Sequence, residues 1–125
     1  MNKYELIEAA ADLLQHTGWT QKAMARDING SKTSVFPDLD EGETQPVCYC
    51  ALGALIYVEE YADSQLVRNL ALHALHKAAP GGSLIVYNDA EGRTKEQVLM
   101  LMRKTAAKLR AVETGEDSPY LYRQE

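Results

Sequence analysis

The chain has few residues of the kinds that mark secreted, membrane-spanning or nucleic-acid-binding proteins. Its two cysteines, Cys48 and Cys50, are one residue apart, which is too close for an ordinary structural disulfide. The longest apolar stretch, residues 47–58, is shorter than the roughly 20 residues that cross a bilayer. Basic residues number 13 against 18 acidic ones, and a formal charge of -5 repels phosphate backbones. We therefore expect reduced thiols, no membrane span and no nucleic-acid partner.

The beginning of the sequence also lacks the features of a signal peptide. Residues 1–5 are mostly polar or charged, with no apolar core and no small-residue cleavage site, so we expect a cytoplasmic protein. The composition, 46% hydrophobic and 25% charged over 125 residues, is typical of one globular domain. Because no repeat or linker divides the chain, we expect a single domain over 1–125, with a polar C-terminal tail at 113–125.

Hydrophobic periodicity predicts four helices. Capping boxes formed by Asn2 with Glu5, and by Thr94 with Gln97, mark the beginning of the first and last. The second helix, which follows Pro46, is apolar on every side and should therefore be buried in the middle of the fold. The predicted helices cover 3–17, 47–61, the stretch between Ser64 and Pro80, and 95–112.

Turn chemistry and β propensity predict a small sheet. Asn29-Gly30 suits a tight hairpin turn, with strands in the flanking segments 23–25 and 33–35. Residues 84–87, with the sequence Leu-Ile-Val-Tyr, are expected to form a third strand. The acidic segment 37–43 should be an exposed loop. The predicted fold class is therefore α+β, mostly α, with about four helices packed around a central apolar helix and a small two- or three-stranded sheet.

The two cysteines and two histidines, His73 and His76, are the residue types that bind zinc. If both cysteines lie on the predicted helix, they point about 200° apart and cannot easily bind one ion. The glycine and lysine spacing of a phosphate-binding loop is also missing. We predict neither a metal nor a cofactor.

Cys50 is the candidate nucleophile, because a thiol near the beginning of a helix has its thiolate stabilised by free backbone N–H groups. His73 would act as the base and Asp89 would orient it, with His76 and Asn88 as alternatives. The competing interpretation, which we prefer, makes Cys50 a small core residue, since free cysteine is often buried. Whether the protein is an enzyme stays open.

Residues 88–94 join the expected third strand to the last helix and form a candidate binding loop. Helix N-termini attract anions, and Arg93 could donate two parallel hydrogen bonds to the same anion. The same residue types also build ordinary turns, so a structural role stays open. Trp19, the only tryptophan, either packs back onto the first helix or stacks on a ligand.

Five short motifs, taken in order, resemble one family. They are Gly18-Trp19, Ala25-Arg26-Asp27, Cys50-Ala51-Leu52-Gly53-Ala54-Leu55, Asn88-Asp89 and Gly92-Arg93-Thr94. The family is known as domain of unknown function 6197, a group of short proteins from actinobacteria and bacteriophages. The chain departs from the family pattern at Thr20 and Tyr87, where many relatives are expected to carry cysteine and tryptophan.

The resemblance implies no reaction, but it defines a set of candidate ligand- or partner-binding residues. The set is Trp19, Arg26, Asp27, Asn88, Asp89 and Arg93. Arg26 and Asp27 are hard to explain as a stabilising surface ion pair, so we expect them to tether the hairpin to the loop around Asp89.

These observations favour a small non-enzymatic accessory protein that binds a host protein or small ligand. It would be encoded by a phage or mobile element and act in the host cytoplasm. One alternative is a small cysteine-dependent hydrolase or transferase that uses Cys50. Another is a sequestering binder of an anionic small molecule. A homo-oligomer is compatible with each hypothesis.

Overall fold

A computed structural model describes residues 1–60 and 65–115 of the chain. Within these ranges it contains five α-helices, a short 3-10 helix at Leu39–Glu41 and three two-residue strands. The helices are α1 Lys3–His16, α2 Ala51–Glu59, α3 Gln65–Ala78, α4 Leu84–Asp89 and α5 Lys95–Thr114. The strands are β1 Ala25–Arg26, β2 Lys32–Thr33 and β3 Cys48–Tyr49. The α+β, mostly helical fold class is confirmed.

The core lies where α1 packs against α2, α3 and α5. Apolar residues recur on α1 at helical spacing, so that one face of the helix is fully buried. The short α2, the predicted apolar helix, packs between α1, α3, α4 and β3. Trp19 lies against this core just beyond the end of α1, as the packing interpretation predicts.

Both predicted capping boxes are confirmed. The Asn2 side chain accepts a hydrogen bond from the backbone N–H of Glu5, and the Glu5 carboxylate accepts the N–H of Asn2, each at 3.0 Å. Thr94 and Gln97 form the same reciprocal pair at the beginning of α5. Each box satisfies N–H groups that have no partner within their helix.

The sheet is antiparallel throughout, with strand order β2-β1-β3. The predicted hairpin is confirmed, since β1 and β2 pair on either side of Asn29-Gly30 and Gly30 has a φ of 82°. The expected strand at 84–87 is wrong, because these residues form the first turn of α4. Ser83 caps that helix by accepting the N–H of Val86 at 3.2 Å, and tertiary packing here overrides β propensity.

The second helix begins four residues later than predicted. The backbone of 47–50 instead continues the sheet, with the Val47 N–H donating to Arg26 O at 2.8 Å and the Cys50 N–H to Met24 O at 3.1 Å. Cys50 is the N-cap residue of α2, and its sulfur accepts the N–H of Gly53. Cys48 and Cys50 therefore do not lie on one helix, and the spacing argument against zinc does not apply.

The outer parts of α3 and α5 also differ from expectation. Ala71 and Leu75 on α3 are buried as predicted, but Leu66 and Leu70 are 67% and 45% exposed. Helix α5 continues to Thr114, through the first two residues of the predicted tail. Predictions that involve 61–64, including the cap at Ser64, and those for 116–125 lie outside the described residues. No helix within the described ranges is long and apolar enough to span a membrane.

Candidate functional site

Asn88 is the centre of a hydrogen-bond network that joins three parts of the fold. Its side chain is buried, with the residue 2% exposed. Asn88 Oδ1 accepts the indole N–H of Trp19 at 2.7 Å and the backbone N–H of Ala51 at 3.0 Å. Asn88 Nδ2 donates to Thr20 O at 3.1 Å and to Asp89 Oδ1 at 2.9 Å. The amide therefore uses both its acceptor and its donor groups within the protein.

The segment that follows Trp19 is bound to the end of α4. Gln21 Nε2 donates to Asn88 O at 3.0 Å and to Ala90 O at 2.8 Å. The Lys22 N–H donates to Asp89 Oδ1 at 2.8 Å, and Lys22 adopts a left-handed φ of 63°, which is rare outside glycine. Trp19, Asn88 and Asp89 are thus brought together as one structural network.

Arg26 and Asp27 shape the hairpin instead of reaching Asp89 directly. The Arg26 guanidinium donates to Thr20 Oγ1, Gly30 O and Gln21 O at 2.9–3.1 Å. It therefore binds the hairpin to residues 20–21, which are in turn hydrogen-bonded to Asn88 and Ala90 beside Asp89.

Asp27 lies at the turn of the hairpin. Its carboxylate accepts the backbone N–H groups of Asn29 and Ser31 and the hydroxyl of Thr44, the last at 2.6 Å. The Thr44 hydroxyl holds the pKa of Asp27 below its ordinary value, and the two backbone N–H groups act in the same direction against the effect of burial. These contacts give Asp27 a structural role in the turn.

A small cavity of about 230 Å³ adjoins this network and contains the candidate nucleophile. Cys50, Asn88 and Asp89 line it, together with Lys22, Met24 and Ile85. Burial raises the pKa of the Cys50 thiol, although the N–H groups of Gly53 and Leu52 oppose that effect. None of the described residues that line this cavity is a histidine, and the proposed base His73 lines a different cavity. The catalytic arrangement of Cys50, His73 and Asp89 is therefore not assembled.

The alternative base, His76, and the alternative orienting residue, Asn88, both have other partners in the structure. His76 Nδ1 accepts the backbone N–H of Leu84 at 2.9 Å and so helps to begin α4. Asn88 is bound by the network described above. Among residues 1–60 and 65–115, no group of three or more His, Cys, Asp or Glu side chains is placed to hold a metal ion.

Arg93 lies in a helix-to-helix connection between α4 and α5, not in the strand-to-helix loop that was expected. Its guanidinium lies over the Tyr87 ring, 3.6 Å from the centroid, in a cation–π contact. Arg93 Nε also donates to Tyr87 O at 2.8 Å, and Nη1 reaches Gln97 Oε1 at 3.4 Å. The predicted anion-binding side chain is thus used to fix Tyr87 and Gln97, which both line a second and larger cavity.

This larger cavity is a groove between α3 and α5, with a volume of about 870 Å³. Apolar and small residues form much of its lining, and most of the remaining residues are basic. The apolar group includes Leu70, Ala74, Ala78, Met100, Leu101 and Leu109. The cationic or basic group is Lys3, His73, Lys77, Lys104 and Lys108. None of the described residues that line the groove is aspartate or glutamate.

Helical spacing separates these residues into a floor and two rims. On α5, the positions nearest the buried Met102 and Ala106 are Thr105 and Leu109, whereas Lys104 and Lys108 lie further round the helix. Both lysines are exposed, and they lie one turn apart on the same side.

The α3 side repeats this arrangement. Ala74 and Ala78 lie beside the buried face of the helix, whereas His73 and Lys77 are exposed and four residues apart. The groove therefore has an apolar floor between two basic rims. Sequence reasoning missed it because the rims come from helices that are distant in the chain. The available signal was the repeat of Lys104 and Lys108 at one-turn spacing beside Leu101 and Leu109.

Together, the fold and these two cavities define a small, mostly helical α+β protein with one sulfur-lined cavity and one lysine-rimmed groove. The chain belongs to the family of unknown function DUF6197, whose model matches residues 2–108. This match confirms the resemblance that the short motifs suggested. No curated protein and no solved structure gives a significant match to the chain.

Proposed function

We propose that this protein is a non-enzymatic accessory protein of the cytoplasm that binds an anionic ligand with an apolar part in the groove between α3 and α5. The observation that carries the proposal is the composition of the groove: four lysines and no carboxylate among the described residues that line it. The chain as a whole is acidic, with a formal charge of -5. A local cluster of positive charge therefore differs in sign from the net charge of the protein.

Electrostatics supports an anion as the occupant. Lysines on facing rims raise the local positive potential, and their mutual repulsion is relieved when an anion lies between them. Among the described residues, the ion pair between Arg103 and Asp12 lies elsewhere, and none of the four groove lysines has such a partner. Within 1–60 and 65–115, the positive charge of the groove is therefore not neutralised by an ion pair.

The floor supports an apolar part in that ligand. Small-molecule sites are mostly apolar concave surfaces of about 300–1,000 Å³ with a few polar groups that fix orientation. The groove, at about 870 Å³, lies within this range, and two lining side chains are partly exposed: Leu70 on the floor and Met100 on the outer side of Lys104. A ligand that covered these side chains would gain hydrophobic free energy as well as charge pairing.

The rival hypotheses have less support. A cysteine-dependent hydrolase needs a base beside Cys50, and the cavity of Cys50 has no histidine among its described lining residues. A binding site built from Trp19 and Asn88 has little to offer a ligand, because Asn88 is 2% exposed and its amide and the Trp19 indole N–H are hydrogen-bonded within the protein. Binding in the groove needs neither a base beside Cys50 nor a free polar group on Trp19 or Asn88.

The test uses 8-anilinonaphthalene-1-sulfonate, an apolar aromatic sulfonate, as a probe. We expect saturable fluorescence enhancement with the folded protein, and weakening of about tenfold, or roughly 1.4 kcal/mol, in the double variant Lys104→Gln/Lys108→Gln. The control Lys32→Gln/Arg110→Gln removes two charges from other exposed positions and should bind as the parent does. Circular dichroism melts confirm that each variant is folded. Absence of saturable binding, or equal weakening in both double variants, refutes the proposal.

A further inference from the structure

We infer that the occupant of the groove is an acidic amphipathic helix from a partner protein. This inference rests on the proposed function and narrows it from an apolar anion to one class of ligand. Three features of the protein support it: the length of the groove, the placement of its lysines, and the exposed apolar residues Leu66 and Val112 on the helices that form it.

The length of the groove matches a short helix. The groove-lining positions of α5 run from Gln97 to Leu109, about 18 Å along the axis at 1.5 Å per residue. Those of α3 run from Leu70 to Ala78, about 12 Å. A helix of about three turns covers this length, and the cleft between two helices is a common place for a third to pack.

The charges are spread along both rims. Lys77 lies on the α3 rim, and Lys104 and Lys108 lie one turn apart on the α5 rim. A fatty acid has one carboxylate at one end, so it would leave most of these groups without an anion. A helix with Asp or Glu on both sides of an apolar stripe presents carboxylates at the same one-turn spacing on both edges.

Exposed apolar side chains extend the floor beyond the groove. Leu66 is 67% exposed and lies one turn before Leu70 on α3. Val112 is 58% exposed and lies about one turn after Leu109 on α5. An occupant that followed α3 and α5 past the groove would cover these residues.

The same charges argue against a second copy of this chain in a groove-to-groove dimer. Such a dimer would bring the rim lysines of one copy against those of the other, and like charges in contact are destabilising. A partner of opposite charge is therefore favoured over self-association through this surface.

The experiment uses the full chain and a fluorescent synthetic peptide of about four helical turns. Its leucines are placed at i, i+3, i+4 and i+7, with glutamates on both sides of the stripe. A charge-reversed peptide with lysine for glutamate and a shuffled peptide of identical composition are the matched controls. Anisotropy measures affinity, circular dichroism measures induced helix, and dodecanoate represents a single-headed anion.

We expect the acidic peptide to bind at least about tenfold more tightly than both controls, gain helix on binding and weaken with salt. The variant Lys77→Glu/Lys104→Glu/Lys108→Glu should lose the acidic peptide and prefer the basic one. The milder Lys104→Gln/Lys108→Gln variant keeps the test valid if the triple reversal fails to fold. Nuclear magnetic resonance shifts should map to α3 and α5.

The outcomes separate this inference from the proposed function. If dodecanoate or the sulfonate probe binds with lysine dependence and the acidic peptide does not, the helix inference is wrong and the proposed function stands. If no anion binds, both are wrong. Equal binding of the acidic and shuffled peptides also overturns the helix inference. So does a concentration-dependent dimer that the lysine substitutions dissociate, because the occupant would then be a second copy.

Discussion

The indole N–H of Trp19 donates to Asn88 Oδ1 at 2.7 Å, across 69 positions of the sequence. The same oxygen accepts the N–H of Ala51, the first residue of α2. One buried amide therefore fixes the chain after α1, the beginning of α2 and the end of α4. This relationship gives a structural reason for the Gly18-Trp19 and Asn88-Asp89 motifs to occur in one chain. Residues of these motifs form the hydrogen-bond network around Asn88, whereas the groove between α3 and α5 is lined by residues outside the motifs.

Replacing Asn88 with alanine should destabilise the protein by about 2–4 kcal/mol, because each buried group left without a partner costs about 1–3 kcal/mol. The groups affected are Trp19 Nε1 and the N–H of Ala51. Urea unfolding followed by tryptophan fluorescence and circular dichroism measures the change. The matched control Asn69→Ala, at an exposed position of α3, should be within about 0.5 kcal/mol of the parent. Similar effects in both variants would contradict this account of the network.

Gly53 allows α2 to lie directly against the backbone of Met24, the residue before β1. A Cβ atom at Gly53 would clash with the carbonyl oxygen of Met24, which is backbone and cannot rotate away. Gly53→Ala should therefore destabilise the fold by about 3 kcal/mol or more, as overpacking against backbone forces a shift. Gly18→Ala is the milder comparison, since its Cβ would meet Cys48 Cβ at 3.1 Å and Val47 O at 3.4 Å, so β3 would have to move by only a few tenths of an ångström. Equal chemical-denaturation midpoints for the two variants would refute this prediction.

Local signals were sufficient to predict much of the helical framework. The capping boxes at Asn2 and Thr94 and the apolar repeats beyond them depend on neighbours within one or two turns, so they can be read from sequence. The Asn29-Gly30 turn is local in the same way. Each of these predictions is confirmed by the hydrogen bonds and pairings of the structure.

The errors occurred where distant contacts override local preference. Residues 84–87 have β-forming side chains, but the cap from Ser83 and the burial of Leu84 and Asn88 one turn apart make them helical. Residues 48–49 join the sheet because β1 offers free backbone groups, which the local apolar pattern does not reveal. The candidate site was missed for the same reason, since its two rims meet only after α3 and α5 pack together.

Cys50 should react slowly with iodoacetamide in the folded protein. Burial raises the pKa of its thiol, which lowers the thiolate fraction at neutral pH, and the residue is only 9% exposed. The measurement uses the Cys48→Ser variant, so that Cys50 is the single thiol. Its labelling rate should be well below that of free cysteine, rise with pH, and reach the free-thiol rate in urea. Labelling faster than free cysteine at neutral pH would revive the cysteine-enzyme hypothesis.

Asp27 should make the stability of the protein depend on pH in the acid range. Its pKa is lower in the folded state, chiefly through the Thr44 hydroxyl, so its contribution is fully present above the ordinary carboxyl pKa of about 3.9. The contribution is lost as pH falls below that value and through the lowered folded-state pKa. Asp27→Asn should therefore be less stable than the parent at neutral pH, with a difference that shrinks on acidification.

Urea unfolding at pH 7 and near pH 3 measures this difference directly. Asp40→Asn is the matched control, because its carboxylate is exposed and makes no hydrogen bond with the described residues. Its difference from the parent should be small and nearly independent of pH. If the Asp27→Asn difference is the same at both pH values, the lowered pKa does not contribute to folding. A difference near zero at both pH values would mean that the turn needs only the shape of the side chain, because asparagine can accept the same N–H groups from Asn29 and Ser31.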